Sequence, residues 1–171
     1  MIFMNTIGFV SEIIYHLSIS LLVAVLFTNR LNWQKRATIC VIFGLFIDLD
    51  HLFDYGYYMV KFRQSFSLAE FASGSHFQTS GKLFILFHSW ELTAALIVSP
   101  LYSKWKTFSG NSLVVNLKTT FLALSPYQLS ILLAGLAMFW NLAADQLVND
   151  VGPWTYFWIY RVAIGFNNVI K

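Results

Sequence analysis

Apolar residues run along this chain in long blocks separated by short polar connections. Four blocks, at about 7–28, 37–60, 82–102 and 122–147, each reach the length of ~20 residues that a helix needs to cross ~30 Å of hydrocarbon. A fifth and shorter block, "PWTYFWIYRVAIGFNNVI" from Pro153, carries Arg161 and reads as a segment that spans, re-enters or lies flat at the interface. The pattern predicts an all-α chain, a polytopic membrane helix bundle with four to five transmembrane helices, in one domain over residues 1–171. No basic leader or small-residue cleavage signal accompanies the first block, so it reads as a retained helix. The Trp and Tyr residues, including those of "PWTYFWIY", read as an interfacial belt, and Gly135 and Ala137 as points of close helix approach.

Composition agrees with a lipid solvent. The 171 residues are 57% hydrophobic, 18% aromatic and only 11% charged, with a mean hydropathy of +0.62, too apolar for an ordinary soluble domain. The single cysteine, Cys40, excludes a disulfide framework and a thiolate metal site. A net charge of +3 permits weak attraction to anionic lipid, but no basic block is long enough to indicate nucleic acid.

The connections set an orientation. Arg30, Lys35 and Arg36 lie between the first two blocks, and Lys104, Lys106 and Lys118 between the third and fourth; Lys61, Arg63 and Lys82 lie on the other side. Basic residues near membrane ends stay cytoplasmic, which puts the N-terminus outside.

Depth then sorts the charges. Glu12, Asp48, Asp50, Asp54, Glu91 and Asp145 are six of the eight acids and fall inside the blocks, while Arg161 is the one basic residue away from a block's ends. Carboxylates in a bilayer cost about 2.5–3.5 kcal/mol each near its centre, so this excess calls for compensating metal, protons or water. Three of the four histidines sit beside these acids: Glu12 with His16, Asp48 with His51 and His88 with Glu91, while Asn141 pairs with Asp145. Spacings of three or four place each pair on one helix face, as in metal sites built inside helix bundles. In an alternating up-down bundle all four positions fall in the same half of the membrane, the outer half on the charge count. His76, in the polar loop "ASGSHFQTSGK", reads as solvated.

The candidate ligands are therefore His16, Asp48, Asp50, His51, His88 and Asp145, with Asn141 beside them. Carboxylates mixed with imidazoles suit Zn²⁺, or Mn²⁺ or Fe²⁺, better than Ca²⁺ or Mg²⁺, and one or two ions would fit. Glu91 first, and Asp54 second, are the candidate general bases.

These same residues carry a family resemblance. "YHLS" with His16, "IDLDH" with Asp48, Asp50 and His51, "FHSWE" with His88 and "NLAAD" with Asp145 resemble, in order, the motifs of the LexA-regulated, inner-membrane-bound metal-dependent hydrolase family of bacteria. Ile47 stands where that family has proline, Asn141 where it usually has histidine, and the His-Arg-Gly that often precedes the Ser-flanked histidine is missing, His76 being a distant substitute. The resemblance implies a multi-pass protein of the bacterial inner membrane with a metal-dependent hydrolase site. Combined with the depth of the acids, it leads to the expectation of hydrolysis of an ester or phosphoester in a membrane lipid or lipid-linked substrate. The alternative is a non-enzymatic metal- or proton-coupled carrier, or a structural subunit. A carrier needs polar residues through both halves of the membrane, and "LLVAVLF", "TICVIFGLF" and "AALIVSPLY" provide almost none.

Overall fold

The computed structural model describes residues 6–27, 30–84, 87–108, 117–148 and 154–166. Over these the chain is helical, with turns and short connecting segments between helices. The long elements are α1 (Thr6–Leu26), α2 (Trp33–Phe46), α3 (Asp50–Phe62), α6 (Trp90–Phe108) and α8 (Pro126–Val148). Short helices α4 (Leu68–Ser73), α5 (Ser75–Ser80), α7 (Leu117–Leu122) and α9 (Trp158–Ala163) lie between or after them. Pro126–Leu147 is long and apolar enough to cross a membrane; the apolar stretch of α1, Ile13–Leu26, is shorter.

The helix α8 is the central post, with α1, α2 and α6 packed on it, and α1 packs on α2 as well. One end of the bundle is closed by an apolar core of Val23, Ala24, Cys40, Leu129, Leu132 and Leu133, among others. There the buried Arg36 donates from Nη1 to the carbonyls of Ala24 (2.9 Å) and Phe27 (3.1 Å), satisfying acceptors that the end of α1 leaves open. Gly135 lets α6 approach α8, since a Cβ there would lie 2.9 Å from both Ile97 Cγ1 and Leu96 Cβ.

Three boundaries differ from the apolar pattern. The second block is two helices, α2 and α3, joined by a 3₁₀ turn at Ile47–Leu49 that carries Asp48. The third becomes helical only at Trp90, because the backbone N–H groups of Phe87 and His88 donate to Asp50 Oδ2 (2.9 and 3.0 Å) instead of entering a helix. Ser89 then starts α6 as its N-cap, its Oγ accepting from the Leu92 N–H at 3.2 Å. Within residues 154–166 the last block forms only the six-residue α9, too short to span. Its Arg161 is fully buried and donates from Nη2 to Leu83 O at 2.7 Å.

The polar loop is also more ordered than its composition indicates. The helix α5 packs on α3, and α4 on α1 and α5, and His76 is 1% exposed rather than solvated. The rings of Tyr55, Phe71 and Phe77 surround it at centroid distances of 5.0, 5.9 and 4.0 Å.

Candidate metal centre

At the opposite end of the bundle from Arg36, four segments bring carboxylates and imidazoles together. The helix α1 delivers His16, the 3₁₀ turn Asp48, the bend that leads into α6 His88, and the last turns of α8 Asp145. The contacts form a closed ring. His16 Nε2 is 2.8 Å from Asp145 Oδ1, and His16 Nδ1 is 3.2 Å from Asp48 Oδ2. Asp48 Oδ1 is 3.3 Å from His88 Nε2, which is 3.4 Å from Asp145 Oδ2. His16, His88 and Asp145 are buried, whereas the Asp48 side chain is 26% exposed.

One hydrogen bond within the ring and one outside it fix the imidazoles. An ionised carboxylate only accepts, so the short contact of His16 Nε2 with Asp145 makes that nitrogen the donor. Likewise His88 Nδ1 donates to Asp50 Oδ1 at 2.8 Å. In neutral imidazoles these assignments leave the lone pairs of His16 Nδ1 and His88 Nε2 facing carboxylate oxygens. His16 Nδ1, Asp48 Oδ1 and Asp145 Oδ2 are buried and make no hydrogen bond, although each has an opposing atom within 3.4 Å. With neutral rings acceptors face acceptors, an arrangement that a metal ion, or a second proton on each ring, resolves. Donors held about 2.0–2.1 Å from a tetrahedral Zn²⁺ are about 3.3 Å apart, and the 3.2, 3.3 and 3.4 Å separations match that spacing. The residues therefore fit a divalent ion.

One ligand atom from each of His16, Asp48 and Asp145 falls within a 4.8 Å spread, and so does one from each of Asp48, His51 and His88. These buried and half-buried groups can hold a metal ion. The ring of His51 lies 4.9 Å from that of His88, and its Nδ1 is 3.8 Å from both Asp50 Oδ1 and Asp54 Oδ2.

The remaining expected site residues stand outside the ring. Asp50 lies behind His88, with its oxygens taken up by the His88 imidazole and two backbone N–H groups. Asp54 Oδ1 accepts from the Phe84 N–H at 2.5 Å, while its Oδ2 makes no hydrogen bond. Asn141, one turn before Asp145, donates to Ala137 O at 2.8 Å and Ser20 Oγ at 3.2 Å, and its Oδ1 is unpaired. Glu91 caps α9: its carboxylate accepts from the N–H groups of Trp158 (3.0 Å) and Ile159 (3.2 Å) and from Ser89 Oγ (2.8 Å). His88 precedes the helix that holds Glu91, so the two do not share a helix face. The side chain of Glu12 lies outside the described residues.

Gly44 is a residue the charge pattern does not reveal. A Cβ there would lie 1.9 Å from Ser20 Oγ and 2.9 Å from Asn141 Nδ2, so glycine allows α2 to close on α1 and α8 just below the ring. Its position one helical turn before Asp48 is the signal in the sequence.

Comparison with family models, with curated proteins and with solved structures finds no match to this chain.

Proposed function

We propose that the chain is a multi-pass membrane enzyme, a metal-dependent hydrolase of a lipid or lipid-linked ester or phosphoester. The observation that carries this reading is the ring of opposed acceptor atoms in His16, Asp48, His88 and Asp145. Bound there, a divalent ion, Zn²⁺ by preference and Mn²⁺ or Fe²⁺ as alternatives, supplies Lewis acidity to the scissile group and acidifies water. The chain's own groups divide the other work. Asp50 orients His88, the half-exposed edge at Asp48 and His51 admits the substrate, and the unpaired Asp54 Oδ2 is the nearby proton acceptor. Glu91, engaged with α9, is the weaker candidate for that role.

Exposed apolar side chains on every long helix support burial in lipid: Leu22 and Val25 on α1, Ile42 on α2, Phe53 on α3, Val98 on α6 and Leu147 on α8. Aromatic residues are exposed at both ends, Trp33 and Trp105 near Arg36, and Trp154 and Trp158 near the ring, the placing of an interfacial belt. The resemblance to the bacterial inner-membrane hydrolases and the basic connections support a cytoplasmic Arg36 end, with N-terminus and site facing outward. Among the described residues the core at the Arg36 end is mainly apolar, which disfavours a carrier.

The test is incubation of the purified protein with extracted membrane lipids, with and without chelator, followed by mass spectrometry of products. Chelator-sensitive release of a headgroup or acyl fragment is the expected result. Stoichiometric metal without such a product from any lipid class defeats the hydrolase reading in favour of a carrier or structural subunit.

A further inference from the structure

We infer that the centre takes two divalent cations with Asp48 as the bridge between them, and that its substrate is a phosphoester rather than a carboxylic ester. The inference rests on the metal-dependent reading above. His16, Asp48 and Asp145 would hold one ion; Asp48, His51 and His88 the other.

The bridge follows from the way Asp48 is set. The 3₁₀ turn presents its carboxylate edge-on between two imidazoles from different segments: Oδ2 faces His16 Nδ1 at 3.2 Å and Oδ1 faces His88 Nε2 at 3.3 Å. Each oxygen thus faces an imidazole nitrogen from a different segment, so each can serve a different ion. Here His16 Nδ1 is fully buried without a hydrogen bond on one side, and Asp48 Oδ1 is unpaired on the other.

One histidine of the second set, His88, is prepared in the way metal-binding imidazoles are. Asp50 accepts from His88 Nδ1, and Asp50 and Asp54 flank His51 Nδ1 at 3.8 Å. A carboxylate on the far ring nitrogen fixes the tautomer and leaves the other nitrogen for the ion. Asp50 is then the support of a ligand of the second ion, and Asp54 stands beside His51.

Charge gives the substrate class. With neutral imidazoles, Asp48, Asp50, Asp54 and Asp145 carry four negative charges, and Arg161 is the one buried cation beside them, bonded to Leu83 next to the residue whose N–H meets Asp54. One divalent ion leaves the group with a net negative charge, which repels a phosphodiester or phosphomonoester. A second turns the balance positive by one unit, the sign that attracts such an anion. Two such ions would supply Lewis acidity to both the attacking and the departing oxygens of an in-line displacement. In that reaction water would add to phosphorus, the ester P–O bond would break, one of the water's protons would end on the departing alkoxide and the other would stay with the phosphate product.

The test strips the purified full-length protein with chelator, reloads it with Mn²⁺, desalts it and measures bound manganese by mass spectrometry, with electron paramagnetic resonance on the same samples. Two ions per chain and a spin-coupled signal are expected for the unaltered protein. His51→Ala should keep one ion and lose the coupling, because its change falls on the second set alone. One ion per chain in the unaltered protein, with an uncoupled signal, overturns the two-ion inference and leaves the metal reading standing. No bound ion overturns both. With two ions present, hydrolysis of carboxylic ester lipids but not of phosphoester lipids overturns the assignment of substrate.

Discussion

Asp50 grips His88 twice: its Oδ1 accepts from the imidazole Nδ1 at 2.8 Å, and its Oδ2 from the His88 backbone N–H at 3.0 Å. Ring orientation and chain path are thus set by one carboxylate. Asp50→Asn is expected to weaken metal binding by about 10–100-fold, the usual effect of losing a group that orients a ligand, while helix content by circular dichroism is retained. Titration against a fluorescent chelator measures it, and unchanged affinity would remove Asp50 from any supporting role.

Gly44 should tolerate no side chain. A Cβ 1.9 Å from Ser20 Oγ forces α1 and α2 apart, and Gly44→Ala is expected to cost about 1–3 kcal/mol, as overpacked cores do. Pairing it with Ser20→Ala should recover part of the loss, because the clashing oxygen is gone. Thermal melts in detergent of the two single variants and the double variant read out the rescue.

Glu91→Ala should separate stability from metal. Its carboxylate accepts from two N–H groups at the start of α9, and losing such a cap costs roughly 1 kcal/mol. Melting should fall while bound metal stays at the level of the unaltered protein. Loss of metal with unchanged melting would return Glu91 to the centre.

His76 makes the fold sensitive to acid. Burial among aromatic rings, with the nearby His51 adding to the effect, pushes its imidazole down to about 4. The folded protein thus disfavours the charged form relative to the unfolded chain, whose histidine titrates near 6.5. The unfolded state binds more protons between these values, so the stability is complete above about 6.5 and is lost as pH falls toward 4. The full span is worth on the order of 3 kcal/mol. Melts of metal-stripped protein between pH 7 and pH 4.5 should show a smaller decline for His76→Phe than for the unaltered chain; equal slopes would assign the acid sensitivity elsewhere.

Orientation is open to labelling. Gln34 and Thr79 are exposed near opposite ends of the bundle, and Cys40 is buried, so single cysteines at 34 and 79 report with little background. An impermeant maleimide on intact cells should mark position 79 and spare 34. The reverse pattern would place the centre on the cytoplasmic side.

Much of this was legible as periodicity. The block at 122–147 is α8 within a few residues, and the same-face pair of Asn141 and Asp145 does lie on it, because a helix that buries one face writes that face into its own spacing. The carboxylates and histidines were legible too, since ionisable groups in an apolar run are costly enough to need a reason. What the pattern hid is long-range capture. Asp50 takes the backbone N–H groups of Phe87 and His88 from 37 and 38 residues away, and nothing in the local run 82–90 says that those residues are not helical. His76 was hidden for a related reason: polar loop neighbours describe its sequence, whereas Tyr55, twenty-one positions earlier, supplies part of its surroundings.

His16 and Asp145 touch across 129 residues of chain, which places the centre late in the life of each new molecule. During synthesis His16 emerges with the first helix, and Asp48, His51 and His88 follow, yet the ring stays open until α8 has been made and has docked. A chain without α8 therefore lacks Asp145 and holds only part of the candidate ligand set. The set of His16, Asp48 and Asp145 is thus the one that waits for α8, whereas Asp48, His51 and His88 all precede it in the chain.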